Sequence, residues 1–193
     1  HGIVHTSERA AEISEQVVYP VLLKAVHGGG GKGIQVVNKP EEIHELFQRV
    51  TVEAKAAFGN GDVYIEKFVT SLRHIEAQIL RDIHGNCYVI GLRDCSVQRN
   101  NQKLMEESYS TMLPKRLENL VLEYAERIAN AVDYIGAGTV EFIYDVPSDA
   151  IYFMEMNTRL QVEHPVTEMV TGVDIVAKQF EIAGGGSIKG MKV

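Results

Sequence analysis

Phe153-Met154-Glu155-Met156-Asn157-Thr158-Arg159-Leu160-Gln161-Val162-Glu163-His164 places a polar side chain at every second position from Glu155 to Glu163. In extended chain that period puts Glu155, Asn157, Arg159, Gln161 and Glu163 on one face. Upstream, Thr139-Val140-Glu141-Phe142-Ile143-Tyr144-Asp145 is a second β-rich run, and Pro147-Ser148-Asp149 between the two is turn chemistry, so the pair predicts an antiparallel hairpin. With the turn centred on Ser148, Glu141 faces Glu155. Carboxylates so placed have Cβ atoms about 5 Å apart, and like charges directly opposite destabilise a sheet unless something neutralises them. A divalent cation does so: hard oxygen donors at this spacing, with Asn157 one pleat further on, suit Mg²⁺ or Mn²⁺ arriving with a polyphosphate. The same residues also fit a solvated polar sheet face whose repulsion Arg159 offsets, and spacing alone leaves both readings open.

The composition sets bounds on what such a hairpin serves. The chain has 193 residues, 45% hydrophobic and 23% charged, ordinary for a globular protein able to bury a core without staples. Two cysteines, Cys87 and Cys95, make neither a disulfide framework nor a metal site, and a reducing cytoplasm fits them best. A net charge of −7 argues against a general binder of nucleic acid or anionic membrane, because no broad phosphate-neutralising surface is available. Any anionic ligand therefore needs a local site. No apolar run reaches the roughly 18–20 residues of a membrane span, and no signal peptide is evident. The first residue is His1 rather than Met, which suggests an excised piece.

Thr6 or Ser7 starts a short capped helix that delivers the chain into Tyr19-Pro20-Val21-Leu22-Leu23-Lys24-Ala25-Val26, a nearly continuous apolar strand with Lys24 at its mouth. His27-Gly28-Gly29-Gly30-Gly31-Lys32-Gly33 follows, then a strand at Ile34–Val37. Four glycines leave backbone N–H groups free to converge on an anion, which predicts a phosphate-covering flap, although the spacing is that of neither a P-loop nor a dinucleotide fingerprint. Pro40 opens a helix with Ile43, Leu46, Phe47, Val50 and Ala54 on one face, and Val63–Val69 is the next strand. Ile75, Ala77 and Ile79 then alternate with His74, Glu76 and Gln78, the chain turns at His84-Gly85-Asn86, and Tyr88–Leu92 returns as a hairpin with one polar face. Gln98–Lys103 reads as a polar loop. From Pro114 a long helix carries Leu117, Leu120, Val121, Tyr124, Ile128 and Val132 to a stop near Gly136, and Thr171-Gly172-Val173-Asp174 opens a last helix reaching Ala183, with Asp174 completing a capping box.

In this order the residues resemble the biotin carboxylase family of ATP-grasp enzymes. The resemblance is carried by Lys24 with Gly28–Gly33; by Glu66-Lys67-Phe68-Val69 followed by Arg73-His74-Ile75-Glu76; by Arg93-Asp94-Cys95-Ser96-Val97-Gln98 through Lys103 and Glu106-Glu107; and above all by Glu155 through Glu168. It implies an α+β, ATP-grasp fold: residues 1–17 a connecting helix, 18–69 a small α+β lid with the glycine-rich flap, and 70–193 a larger α+β body with an antiparallel sheet. The amino- and carboxy-terminal subdomains of the family are absent from this stretch.

The resemblance also implies roles. ATP lies between lid and body, with Lys24, Gly30 and Gly31 on its phosphates, Glu66, Lys67, Phe68 and Val69 on adenine, and His74, Gln98 and Asn101 around the nucleotide. Glu141, Glu155 and Asn157 match the ligands of Mg²⁺ or Mn²⁺, while Lys103, Arg159, Gln161 and Val162 match the bicarbonate site. Glu163 matches the base that deprotonates bicarbonate; with Lys103 and Arg159 it forms the catalytic set. The implied reaction activates bicarbonate with ATP to carboxyphosphate and carboxylates biotin on a carrier protein or domain, which then serves a carboxyltransferase. A homo-oligomeric, cytoplasmic full-length enzyme is implied, with this stretch alone monomeric, binding ATP weakly and inactive. Asn100 and Asn101 stand where the family has an arginine and then an aromatic residue or histidine, a departure that removes a cation or ring from the nucleotide's surroundings. A carbamoyl-phosphate synthetase-like ligase and a non-catalytic nucleotide-binding module are the competing readings.

Overall fold

A computed structural model describes residues 2–27, 33–100, 102–108 and 113–193. Gly30, Gly31 and Asn101, with most of the expected flap, lie outside the described residues. The chain divides into two compact units, His1–Thr70 and Ser71–Val193.

In the first unit, α1 (Ser7–Val17) starts at Thr6, whose hydroxyl accepts from Arg9 N. Strands β1 (Val21–Ala25) and β2 (Ile34–Val37) lead through a 3₁₀ turn at Pro40–Glu42 to α2 (Ile43–Phe58) and β3 (Val63–Lys67). The sheet is antiparallel in the order β2-β1-β3. Its covered face gives Val21, Leu23, Val37 and Val63 to a core with Ala10 and Ile13 of α1 and Ile43, Phe47 and Val50 of α2. The continuous apolar run of β1 is thus buried fully on one face only. Lys24, one residue before the end of β1, shares the half-buried face with Leu22.

The second unit is built on a five-stranded antiparallel sheet, β6-β5-β4-β7-β8, from β4 (Leu72–Arg81), β5 (Cys87–Arg99), β6 (Gln102–Ser108), β7 (Gly136–Asp145) and β8 (Ala150–Asn157). Helix α3 (Lys115–Ala131) covers one face, setting Leu117, Val121, Ala125 and Ala129 against Ile75, Ala77, Ile79, Val140 and Phe142. On the other face α4 (His164–Thr171) packs against β5 and β6, and α5 (Ile175–Ala183) against β4 and β7. There Ile175 and Ile182 join Leu80, Ile90 and Ala137. No helix among the described residues is long and apolar enough to cross a membrane.

Several expectations change. The β4–β5 hairpin does have one polar face, and that face is buried: His74, Glu76 and Gln78 are all shielded from solvent. In place of the expected polar loop, Gln98 and Arg99 pair with Lys103 and Gln102 in the β5–β6 ladder. Val132 is 62% exposed and lies past the end of α3, whereas Ala125 and Ala129, too small to stand out in an apolar pattern, complete its buried stripe. The extended stretch ends at Asn157, so Arg159, Gln161 and Glu163 leave the strand and lead by a turn into α4, which has Pro165 in its first turn and Gly172 as its left-handed stop. Asp174 is itself the cap of α5, its carboxylate accepting from Ala177 N. Near the turn β7 pairs with β8 as Asp145↔Ala150 through Phe142↔Phe153; beyond it a bulge at Met154 restores Glu141↔Glu155. The opposition of those carboxylates therefore holds, but through the bulge rather than through a turn centred on Ser148.

Candidate active site

Four charged residues form one row across four strands: Arg93 on β5 pairs with Glu76 on β4, Glu76 with Glu141 on β7, and Glu141 with Glu155 on β8. Three carboxylates face one guanidinium in that row, and the first two are 0% and 4% exposed. Burial of that much like charge demands compensation from outside the row. Part of it comes from Lys103 on β6, whose ammonium contacts Glu76 Oε1, lies 2.5 Å from Glu163 Oε1 and 3.4 Å from Glu141 Oε1.

His74 stands one pleat away on β4. Its Nδ1 is 3.0 Å from Gln98 Nε2, which also donates to Cys95 O at 2.8 Å. A nitrogen committed to two acceptors fixes His74 Nδ1 as an acceptor, so the ring proton sits on Nε2. That atom lies 2.9 Å from Glu141 Oε2 and 3.4 Å from Glu76 Oε1, without the alignment of a good hydrogen bond to either.

Glu141 collects most of the donors. Its Oε1 accepts from Asn157 Nδ2 and Gln161 Nε2, each at 2.8 Å. Burial pushes the carboxyl upward, but His74, the Lys103 charge and the Gln161 amide together hold it down at about 2. Glu163 follows the same logic: burial raises it, and the Lys103 hydrogen bond, its own backbone and the charges of Lys103 and Arg93 bring it below the ordinary carboxylate range. Both are anions at neutral pH.

The remaining expected residues are placed as follows. Glu155 is exposed and has no hydrogen-bond or ion-pair partner among the described residues. Gln161 is 5% exposed and its amide is spent internally, between Arg93 and Glu141. Val162 is 90% exposed, and Arg159 is exposed with weak contacts to Leu160 O and Asn157 Oδ1. In the first unit, Lys24 Nζ lies 3.2 Å from Glu66 Oε2 and 5.5 Å from the Tyr64 ring centre. Burial lowers the Lys24 pKa and the Glu66 carboxylate more than restores it, so Lys24 stays a cation. Lys67 donates to Val18 O at 2.7 Å, Phe68 N donates to Pro20 O, and Val69 is buried.

Glu76, Arg93, Gln78, Thr139 and Thr167 were given no role by sequence reasoning, yet they form the buried centre of this network. A signal was present. Glu76 and Gln78 alternate with core residues, and Arg93 follows directly on the apolar run of β5, where a charge is costly unless paired.

The donor set of Glu141, Glu155 and Asn157 is all hard oxygen once the Asn157 amide is turned. The free, exposed Glu155 opposite a low-pKa Glu141 fits a hard divalent cation. His74, Glu76 and Glu141 also bring ligand atoms within 4.8 Å of one another, but the Lys103 ammonium and the Arg93 guanidinium already offset those two carboxylates.

The fold is ATP-grasp, the class of its neighbours among solved structures. Residues 1–191 match the carbamoyl-phosphate synthase L chain, ATP binding domain, and the chain belongs to that family. It is 50% identical over 188 residues to the biotin carboxylase of Nostoc sp., covering 97% of this chain and 42% of that protein. A biotin carboxylase from Campylobacter jejuni, solved as a β,γ-ATP complex, superposes with a TM-score of 0.89 at 43% identity, over 96% of this chain and 42% of the other. The biotin carboxylase domain of the Hydrogenobacter thermophilus 2-oxoglutarate carboxylase, solved with MgADP, ADP and bicarbonate, gives 0.87 at 46% identity, over 97% and 41%. The chain thus spans about two fifths of the length of these relatives.

Proposed function

We propose that this chain is the ATP-grasp portion of a biotin carboxylase, which activates bicarbonate with Mg-ATP and carboxylates biotin. The observation that carries the reading is the Lys103–Glu163 pair beside the Arg93-Glu76-Glu141-Glu155 row: a cation in contact with a candidate base, next to a carboxylate pair of which Glu155 has no partner among the described residues. In this reading His1–Thr70 contributes the lid and its flap, with residues 1–17 as the connecting helix, and Ser71–Val193 the body.

Glu141, Glu155 and Asn157 hold the divalent ion, which when bound neutralises phosphate charge as the γ-phosphoryl group is transferred. Lys103, with Arg159, Gln161 and Val162, holds bicarbonate. An ammonium that shifts from Glu163 Oε1 to the bound anion releases the Glu163 carboxylate toward its ordinary basicity, at the moment when the bicarbonate proton must be taken. The deprotonated oxygen attacks the γ-phosphorus, ADP leaves, and carboxyphosphate forms. Its breakdown gives CO₂ and phosphate; the released phosphate takes the ureido N–H proton, and the nitrogen adds to CO₂ to form the N–carboxylate, with Arg159 stabilising the enolate-like ureido oxygen. Lys24, Glu66–Val69, His74 and Gln98 serve the nucleotide. The assignment extends to a biotin carrier protein or domain and a carboxyltransferase as partners, and to a cytoplasmic, homo-oligomeric enzyme.

A carbamoyl-phosphate synthetase-like ligase also activates bicarbonate, and the acceptor separates the two. In the full-length protein, ADP release that needs bicarbonate and rises with biotin but not with ammonium supports the proposal; stimulation by ammonium alone refutes it.

A further inference from the structure

Ladder pairing of β8 ends at Asn157, so the segment 158–163 with Arg159, Gln161 and Glu163 is held by other means. Two cations pin it to the sheet: Lys103 through Glu163, and Arg93 through Gln161. In the proposed reaction Lys103 has to loosen when its ammonium takes the substrate anion. Arg93 has no such duty. It is 1% exposed and surrounded by acceptors. Its Nε and Nη2 donate to Glu76 Oε2 at 3.2 and 3.0 Å, and Nη1 to Gln78 Oε1 and Thr167 Oγ1, both at 2.9 Å. Nη2 also reaches Thr139 Oγ1 at 3.3 Å and Gln161 Oε1 at 3.2 Å. Every N–H of the fork is engaged.

These partners belong to β4, β7, the segment itself and α4, immediately after it. Glycine at position 91 keeps that approach open, since a Cβ there would lie 3.2 Å from Thr167 Cγ2. Arg93 therefore grips the segment in its middle and just beyond its end. It also selects an amide orientation: with Gln161 Oε1 turned to Arg93, Nε2 donates to Glu141 at 2.8 Å. The reversed amide would set an oxygen against that carboxylate.

We propose that Arg93 is the positioning residue of the anion-activating segment: it fixes the Gln161 amide and keeps residues 158–163 in place while Lys103 exchanges Glu163 for the substrate anion. The inference rests on the proposed function, in which that anion is bicarbonate. Lysine cannot substitute, because one ammonium lacks the planar fork that reaches Glu76, Gln161 and Thr167 together.

The test is steady-state kinetics of Arg93→Lys and Thr167→Val in the full-length enzyme, with KM for bicarbonate and for Mg-ATP measured separately beside thermal melts. Arg93→Lys raises KM for bicarbonate about tenfold or more while KM for Mg-ATP moves less than about threefold, as expected for the loss of one or two charge-assisted hydrogen bonds on one substrate's side. Thr167→Val shifts the same constant in the same direction by about threefold or more, the effect of one guanidinium hydrogen bond to a hydroxyl, and decides the matter alone if Arg93→Lys does not fold. An unchanged KM for bicarbonate, or equal losses for both substrates that track a lowered melting temperature, overturns the inference. A wild-type enzyme without bicarbonate-dependent ATP cleavage refutes the proposed function instead.

Discussion

Arg93 and Glu76 face each other across β5 and β4, 3.0 Å apart, in a part of the sheet closed to solvent on both sides. Burying such a pair yields little net stability, because desolvation offsets attraction, but breaking it leaves a bare charge inside. Its value lies in what hangs on it: Lys103 takes the other oxygen of Glu76, and Gln161 accepts from the same Arg93 Nη2 that donates to Glu76. Glu76→Gln is expected to lower unfolding free energy by about 3 kcal/mol or more, the usual cost of orphaning one member of a buried pair. Urea titration of the full-length enzyme measures it, and a loss under about 1 kcal/mol would mean that Lys103 and solvent compensate.

The Lys103–Glu163 contact predicts a pH effect with a definite sign. Lys103 depresses the Glu163 pKa, so removing the ammonium in Lys103→Met lets burial dominate and the pKa rise. The acid limb of residual kcat/KM for bicarbonate then moves to higher pH. A limb that stays in place, or moves down, contradicts the pairing.

Glu141 and Glu155 oppose each other but differ in exposure, and the difference separates stability from activity. Glu155→Gln removes an unpaired surface charge and is expected to change unfolding free energy by less than about 1 kcal/mol. Glu141→Gln removes a buried acceptor to which Asn157, Gln161 and Lys103 donate, and costs about 2 kcal/mol or more. Under the proposed function both are expected to abolish bicarbonate-dependent ATP cleavage in the full-length enzyme, because that reading gives both carboxylates to the ion. Near-wild-type turnover of either variant at saturating Mg²⁺ sinks the metal assignment.

Away from the site, Asp82 anchors the end of the chain to the β4–β5 turn. It accepts from His84 N, Asn86 N, Asn86 Nδ2, Ser187 Oγ and Ile188 N. Burial raises its pKa, but these donors bring it down from 3.8 to about 2. A depressed folded pKa means stability that is fully present above pH 3.8 and lost as pH falls through about 2. Asp82→Asn is expected to melt lower than wild type at neutral pH, with the gap narrowing between pH 4 and pH 2, as linkage requires. A gap that does not depend on pH rules out the carboxylate as its source.

The elements with strong local signals were legible: α1 with its Thr6 cap, α2 with its apolar stripe, and the β7–β8 hairpin with Glu141 against Glu155. Legibility failed where tertiary contacts override the local pattern. The alternation from Glu155 to Glu163 reads as strand throughout, but pairing stops at Asn157 and a proline-started helix takes over. The polar side of β4 is legible as polar, but nothing local shows that it is buried. Glu76 and Arg93 are recognisable as a pair only once the β4–β5 register is known, since they are 17 residues apart in the chain.

The central claim is that Glu163 activates bicarbonate for attack on ATP in a biotin-dependent enzyme. The most direct measurement is phosphate release by the full-length protein with Mg-ATP, with bicarbonate and biotin each added or omitted, for wild type and Glu163→Gln. Release by wild type should require bicarbonate and increase with biotin, and Glu163→Gln should lose about a hundredfold or more, the ordinary contribution of a positioned general base. ATP cleavage that ignores bicarbonate, or a Glu163→Gln enzyme as fast as wild type, would contradict it.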